Sequence, residues 1–356
     1  MQSRYVFLTA FISFSGVMRM RNLWTILFSF AAMFVLILDT PTALEGVKIG
    51  LDVCLKSVIP SLFPFIIVSN LLNSSLIGRK LPVLRPLLHL LRIPQGSDSI
   101  ILIGFLGGYP VGAQAITKAY HTGHLSKKDA ERMLAFSSNA GPAFIFGFGS
   151  QLLKQTWLCW LLWGIHIISA ITTGMLTPGT SNKNVVVRNA TPLTLTEALS
   201  KAIETMGLVC GWIILFRLLI TMLERWFLWL LPNSLRCFLY GVLELANGSC
   251  SLISIESLGM RFVLFSAMLA LGGLCVAMQT RSVCNDLSIR LYFLGKLTQA
   301  AIAVLLSSLV QPLLPTNERY AISPVILAIC CLTILSYHYF SIKLTKKDSN
   351  SSPAMV

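Results

Sequence analysis

The sequence predicts an all-α, polytopic membrane protein with about eight transmembrane helices and two re-entrant or broken segments, arranged as two inverted repeats. Three observations carry that expectation. Apolar residues run in long blocks (23–38, 57–76, 157–175 and 207–231), each close to the length that crosses a hydrocarbon core of roughly 30 Å as a helix. Charged residues make up only 12% of the chain and mean hydropathy is +0.74, which excludes an ordinary water-soluble domain. The basic residues punctuate the gaps between apolar blocks.

That last pattern decides what a net charge of +14 means. Arg79, Lys80, Arg85 and Arg92 fall in one gap, Lys118, Lys127, Lys128 and Arg132 in another, Lys183 and Arg188 in a third, and Arg281 and Arg290 in a fourth. Lys343, Lys346 and Lys347 follow the final block. Such spacing orients helices with positive loops inside, and no nucleic-acid partner is expected. The partner it implies is the lipid bilayer of the cytoplasmic membrane, with both termini inside. The 9 cysteines lack CxxC spacing and several sit in apolar blocks, so neither a disulfide framework nor a metal cluster is expected. His121 and His124 lack a third ligand at metal spacing and read as a solvated loop.

Taken in order, residues 1–40 hold an N-terminal segment and a first span at 23–38; the first seventeen residues read as dispensable before Met18-Arg19-Met20-Arg21. The first repeat is 41–176. It opens with an amphipathic stretch, 41–56, expected near the interface, which leads through Pro60 and Pro64 into a kinked span. Residues 99–119 contain Gly104, Gly107, Gly108, Pro110 and Gly112 between two basic loops, which points to a re-entrant segment. Ser126 and Asp129 form a capping pattern for the next helix, interrupted at Ser137-Ser138-Asn139-Ala140-Gly141-Pro142, and 157–175 crosses back. A polar linker occupies 177–196.

The second repeat, 197–314, has the same order: a span to 231, a short segment at 239–257 with a polar break (Glu244, Asn247, Gly248 and Ser249), a helix interrupted at Leu271-Gly272-Gly273, and an unbroken span at 291–314. A last transmembrane helix and basic tail fill 315–356. Counting the basic loops gives the two repeats opposite orientations, the pattern of many secondary transporters, whose broken helices meet near mid-membrane.

Candidate ligand-binding residues follow from the breaks. Unwound backbone at membrane depth is tolerated where it lines a cavity or is buried in protein. Gly108, Tyr109, Pro110 and Gly112, with the side chain of Gln114, could therefore meet a polar solute; the competing reading is close helix packing. Gly112 is accordingly expected to tolerate a side chain less well than Gly50. Ser137, Ser138, Asn139, Gly141 and Pro142 fit either a discontinuous helix or an interfacial loop. Glu244, three residues before Asn247 and Gly248, is an intramembrane carboxylate that either faces a pathway or neutralises Arg217, Arg225 or Arg236. No HExxH, GxSxG or paired intramembrane Asp is present, so no enzyme, catalytic residue or cofactor is expected.

The run Gly108-Tyr109-Pro110-Val111-Gly112-Ala113, together with residues 125–147 (Leu-Ser-Lys-Lys-Asp-Ala-Glu-Arg through Ser-Ser-Asn-Ala-Gly-Pro to Gly147), resembles the YlbJ-type sporulation integral membrane proteins, within the wider group carrying a nucleoside recognition (Gate) domain. Ile59-Pro60-Ser61-Leu62-Phe63-Pro64-Phe65 and Glu244-Leu245-Ala246-Asn247-Gly248 extend the resemblance across roughly 44–314. It implies a multi-pass protein associated with spore cortex formation, distantly kin to nucleoside carriers. Two functions are compatible with it: a carrier for a small polar or nucleoside-like solute, or a non-transporting scaffold or gating partner for other spore-envelope membrane proteins.

Overall fold

A computed structural model describes residues 23–76, 79, 81–94, 96–179, 192–314 and 324–350. Lys183, Arg188, most of the linker and the first seventeen residues lie outside the described residues. Every regular element described is helical, as apolar periodicity required. Helix α1 (Leu23–Leu38) precedes α2 (Thr40–Val53), which a π-turn at Cys54–Val58 joins to α3 (Ile59–Leu76). After a short α4 (Arg85–Leu90), α5 (Asp98–Leu106) and α6 (Val111–His121) form a hairpin. Then come α7 (Lys127–Ser137), α8 (Pro142–Leu153) and the unbroken α9 (Thr156–Leu176).

The second half runs α10 (Leu195–Trp226), a hairpin of α11 (Asn233–Leu243) and α12 (Leu245–Ser251), the pair α13 (Leu258–Leu271) and α14 (Gly273–Val283), and the unbroken α15 (Arg290–Val310). Helix α16 (Pro324–Asn350) closes the chain. The order is that of the first half: long helix, hairpin, interrupted helix, straight helix. Six stretches among the described residues are long and apolar enough to cross a membrane: 40–76, 156–176, 195–226, 258–283, 290–313 and 325–343. Helix α1 is shorter, and α7 with α8 is interrupted.

Local chemistry sets the helix ends. Ser126 caps α7, its Oγ accepting from Asp129 N at 3.1 Å, as the sequence pattern anticipated. Thr194 and Glu197 make a reciprocal capping box on α10. Gly272 and Gly273, at φ +74° and +79°, separate α13 from α14 in a conformation that side chains resist.

The stretch 41–56 does not form a separate interfacial helix. It belongs to one 37-residue helical run with α3, and its glycines pack on α10. A Cβ on Gly46 would stand 2.9 Å from Leu218 Cα, and one on Gly50 would stand 3.0 Å from Ile214 Cα. Small residues here let two long helices approach backbone to backbone, as is common in membranes. Gly50 is therefore as crowded as Gly112, whose Cβ would lie 3.0 Å from the Ser137 carbonyl oxygen, and it is no permissive counterpart.

Polar contacts sort the loops into two ends. At one end Arg132 donates to the carbonyls of Leu91, Arg92, Gly174 and Thr177, Ser288 N donates to Glu131 at 2.8 Å, and His121 meets Asp286 at 3.7 Å. At the other, Arg261 donates to Leu152 O at 2.9 Å, Asn233 to Ser254 Oγ at 3.0 Å, and Arg225 pairs with Asp39 at 3.2 Å. The α5–α6 hairpin starts and finishes at the first end, the α11–α12 hairpin at the second. The two hairpins thus enter the bundle from opposite sides.

Candidate functional site

The tips of the two hairpins meet. Residues 108–110 join α5 to α6, with a cis Tyr109–Pro110 bond, and Glu244 joins α11 to α12 in extended backbone (φ −147°, ψ 120°). Tyr109 and Glu244 both line a cavity of about 30 Å³, together with Ala140 and Gly141 from the α7–α8 break, and Leu245, Ala246 and Gln279. The remaining walls are apolar, from α3, α8, α10 and α14. At that size it holds a water molecule or two. On its far side the Tyr109 ring packs against the α13–α14 break: a Cβ on Gly272 would be 3.2 Å from the ring. Four interruptions of regular helix therefore converge on one place.

Three of the residues singled out from sequence line this cavity: Tyr109, Gly141 and Glu244. Gly108 lies directly behind Gly141, and Pro110 precedes the first turn of α6. Gly112 is not unwound; it sits inside α6 against the Ser137 carbonyl. Gln114 is also helical and donates to Thr205 Oγ1 of α10 at 3.2 Å, away from the cavity. The second-half break is confined to Glu244, the first residue of the expected one: Asn247 and Gly248 are helical within α12, and Gly248 packs on the backbone of Gly241. The reason is the carboxylate. Glu244 caps α12, accepting from Ala246 N at 2.8 Å, Asn247 N at 2.6 Å and Asn247 Nδ2 at 2.6 Å, so the chain must be extended at residue 244 itself.

None of the three candidate arginines makes a salt bridge to Glu244. Among the described residues it forms no ion pair; Arg217 lies 3.8 Å from Glu224, Arg225 pairs with Asp39, and Arg236 donates to Asn233 Oδ1 at 3.1 Å.

The α7–α8 break opens onto a polar cluster. Ser137 ends α7, Ser138, Asn139, Ala140 and Gly141 are non-helical, and Pro142 starts α8. Asn139 Nδ2 donates to Phe136 O at 2.7 Å, and its Oδ1 accepts from Lys296 Nζ at 3.1 Å and Gln299 Nε2 at 3.0 Å. Lys296 also donates to Gln299 Oε1 at 2.8 Å. His166 Nε2 of α9 accepts from Ala140 N at 3.2 Å. Lys296, Gln299 and His166 lie in stretches that read from sequence as plain spans. A lysine three residues before a glutamine inside an apolar block was the available signal, since intramembrane ionisable residues seldom face lipid. Among the described residues no group of three His, Cys, Asp or Glu could hold a metal ion.

The architecture defines an all-α, multi-pass integral membrane protein built of two matching halves. Compared with known proteins, the chain is similar to the sporulation integral membrane protein YlbJ of Bacillus subtilis (strain 168), 26% identical over 309 residues that take in 73% of this chain and 75% of that protein. This similarity bears out the YlbJ-type resemblance read from residues 108–147. No family model matches the chain, and no solved structure matches it.

Proposed function

We propose that this protein is a carrier for a small polar solute in the cytoplasmic membrane, acting in sporulation as its relative's name indicates, with cortex formation as the process served. The observation that carries the reading is the cavity where two oppositely entering hairpins and two interrupted helices meet, walled by Tyr109, Gly141 and Glu244. Broken segments at the interface of inverted repeats are where secondary transporters bind their cargo. Interrupted helices supply backbone groups that no helix satisfies, and a rocking of one half against the other exposes them to each side in turn. With the basic end inside, both termini are cytoplasmic. The sequence holds no HExxH, GxSxG or paired intramembrane Asp, which favours transport without chemistry.

The test is reconstitution. Purified protein in proteoliposomes is assayed for saturable uptake of labelled polar solutes, nucleosides included, beside a Tyr109→Ala variant. In parallel, both are introduced into a Bacillus subtilis strain lacking YlbJ and scored for spore cortex. Uptake lost together with cortex in Tyr109→Ala supports the carrier. Full complementation by Tyr109→Ala, without uptake by either protein, supports a scaffold instead.

A further inference from the structure

Lys296 is 1% exposed in the second turn of α15, and among the described residues no Asp or Glu pairs with it. Two of its three N–H groups are taken by the amide oxygens of Asn139 and Gln299. Beyond these, Nζ lies over the rings of Tyr109 and Tyr292, 5.3 and 5.9 Å from their centroids. The amine is therefore surrounded by neutral dipoles and ring faces, with no negatively charged group beside it.

Tyr109, whose ring faces Lys296, has a buried hydroxyl without a hydrogen-bond partner, and so do Ser137 and Ser138, which precede Asn139 in the α7–α8 break. Hydroxyls are donors, and native structures seldom leave them orphaned. A lysine with one N–H to spare, next to a tyrosine whose hydroxyl is unused, suits an anionic partner. Tyr109 stands between this cluster and the cavity, its ring facing Lys296 while the same residue forms part of the cavity wall.

We propose that Lys296 is the receptor for an anionic group, a carboxylate or phosphate, on the transported solute, reached from the cavity when the Tyr109 ring swings aside. Glu244 on the cavity wall fixes the other end of the cargo. Its oxygens accept hydrogen bonds and repel a second anion, so the far end carries hydroxyl or amino groups. The cargo class is then a small hydroxylated or aminated acid. This rests on the carrier reading and sharpens it.

The experiment uses the full chain in nanodiscs with three probes: inorganic phosphate, glycerate and uncharged uridine. Wild type and Lys296→Arg are expected to gain Tm saturably with phosphate or glycerate, whichever group the site prefers, and with uridine not at all. Lys296→Met is expected to lose that gain while its own Tm equals or exceeds wild type, because a buried polar group without a counter-ion has given way to an apolar chain of similar length. Tyr109→Phe, which deletes only the hydroxyl, is expected to weaken the anion several-fold. A lower Tm or lost fold in Lys296→Met assigns the lysine a structural role and overturns the proposal. So do an equal response to uridine, no response to either anion, or unchanged anion affinity in Tyr109→Phe. Uptake separates the two readings. Lys296-dependent binding without glycerate entering proteoliposomes removes the carrier and keeps the site; uridine uptake indifferent to Lys296→Met keeps the carrier and removes the site.

Discussion

Gly108 and Gly141 are locked backbone to backbone: a Cβ on Gly108 would sit 3.0 Å from Gly141 N, and a Cβ on Gly141 would sit 3.0 Å from Gly108 Cα. The first hairpin tip and the α7–α8 break thus cross where neither chain carries a side chain. Only that closeness lets Tyr109 and Gly141 line the same cavity.

Gly141→Ala is therefore expected to lower stability by about 1–3 kcal/mol, because the added methyl meets backbone that cannot swing away. Gly211→Ala, where nothing lies within 4 Å of the added atom, is the control. It is expected to match or exceed wild type, since alanine favours helix. Thermal unfolding of both in detergent checks the pair; equal losses would contradict the crossing.

Glu244→Gln is expected to cost about 1–2 kcal/mol, the usual range for a lost cap. Both carboxylate oxygens accept hydrogen bonds, so an amide must turn an N–H₂ toward a backbone donor. Adding Arg217→Gln should not restore stability, because Arg217 lies against Glu224 instead. Recovery in the double variant would indicate an ion pair with Glu244 after all.

Arg132 holds the first end of the bundle together, its guanidinium reaching carbonyls of Leu91, Arg92, Gly174 and Thr177. Arg132→Lys keeps the charge but not the planar fork, and leaves some of these buried acceptors unmet. A loss of about 1–3 kcal/mol is expected per the cost of unsatisfied buried groups. A lysine variant unfolding at the wild-type temperature would show that the fork is dispensable.

The two ends are expected on opposite sides of the membrane. Ser288→Cys, in the exposed loop between α14 and α15, should react with a membrane-impermeant maleimide from the cytoplasmic side. Ser254→Cys, exposed beside the second hairpin, should react from outside. Labelling of both from one side would dismantle the opposed hairpins.

Much of the frame was written locally. Apolar length made the spans, Gly107–Pro110 and Gly272-Gly273 broke helices because those residues cannot continue them cheaply, and Ser126 with Asp129 announced the start of α7. Where two local signals competed, the sequence misled. Asn247-Gly248 looked like a break, yet the carboxylate of Glu244 satisfied the first N–H groups of α12 and kept both residues helical.

Which polar groups meet was decided by packing alone. Lys296 reaches Asn139 across 157 residues of chain, and Gln114, adjacent to the most conspicuous motif, turns to Thr205 instead of the cavity. A helix break depends on the backbone preferences of three or four neighbours and is legible in order. A buried hydrogen bond between distant helices depends on how every intervening helix packs, because only the folded bundle brings those two groups together and removes the water that would otherwise satisfy them.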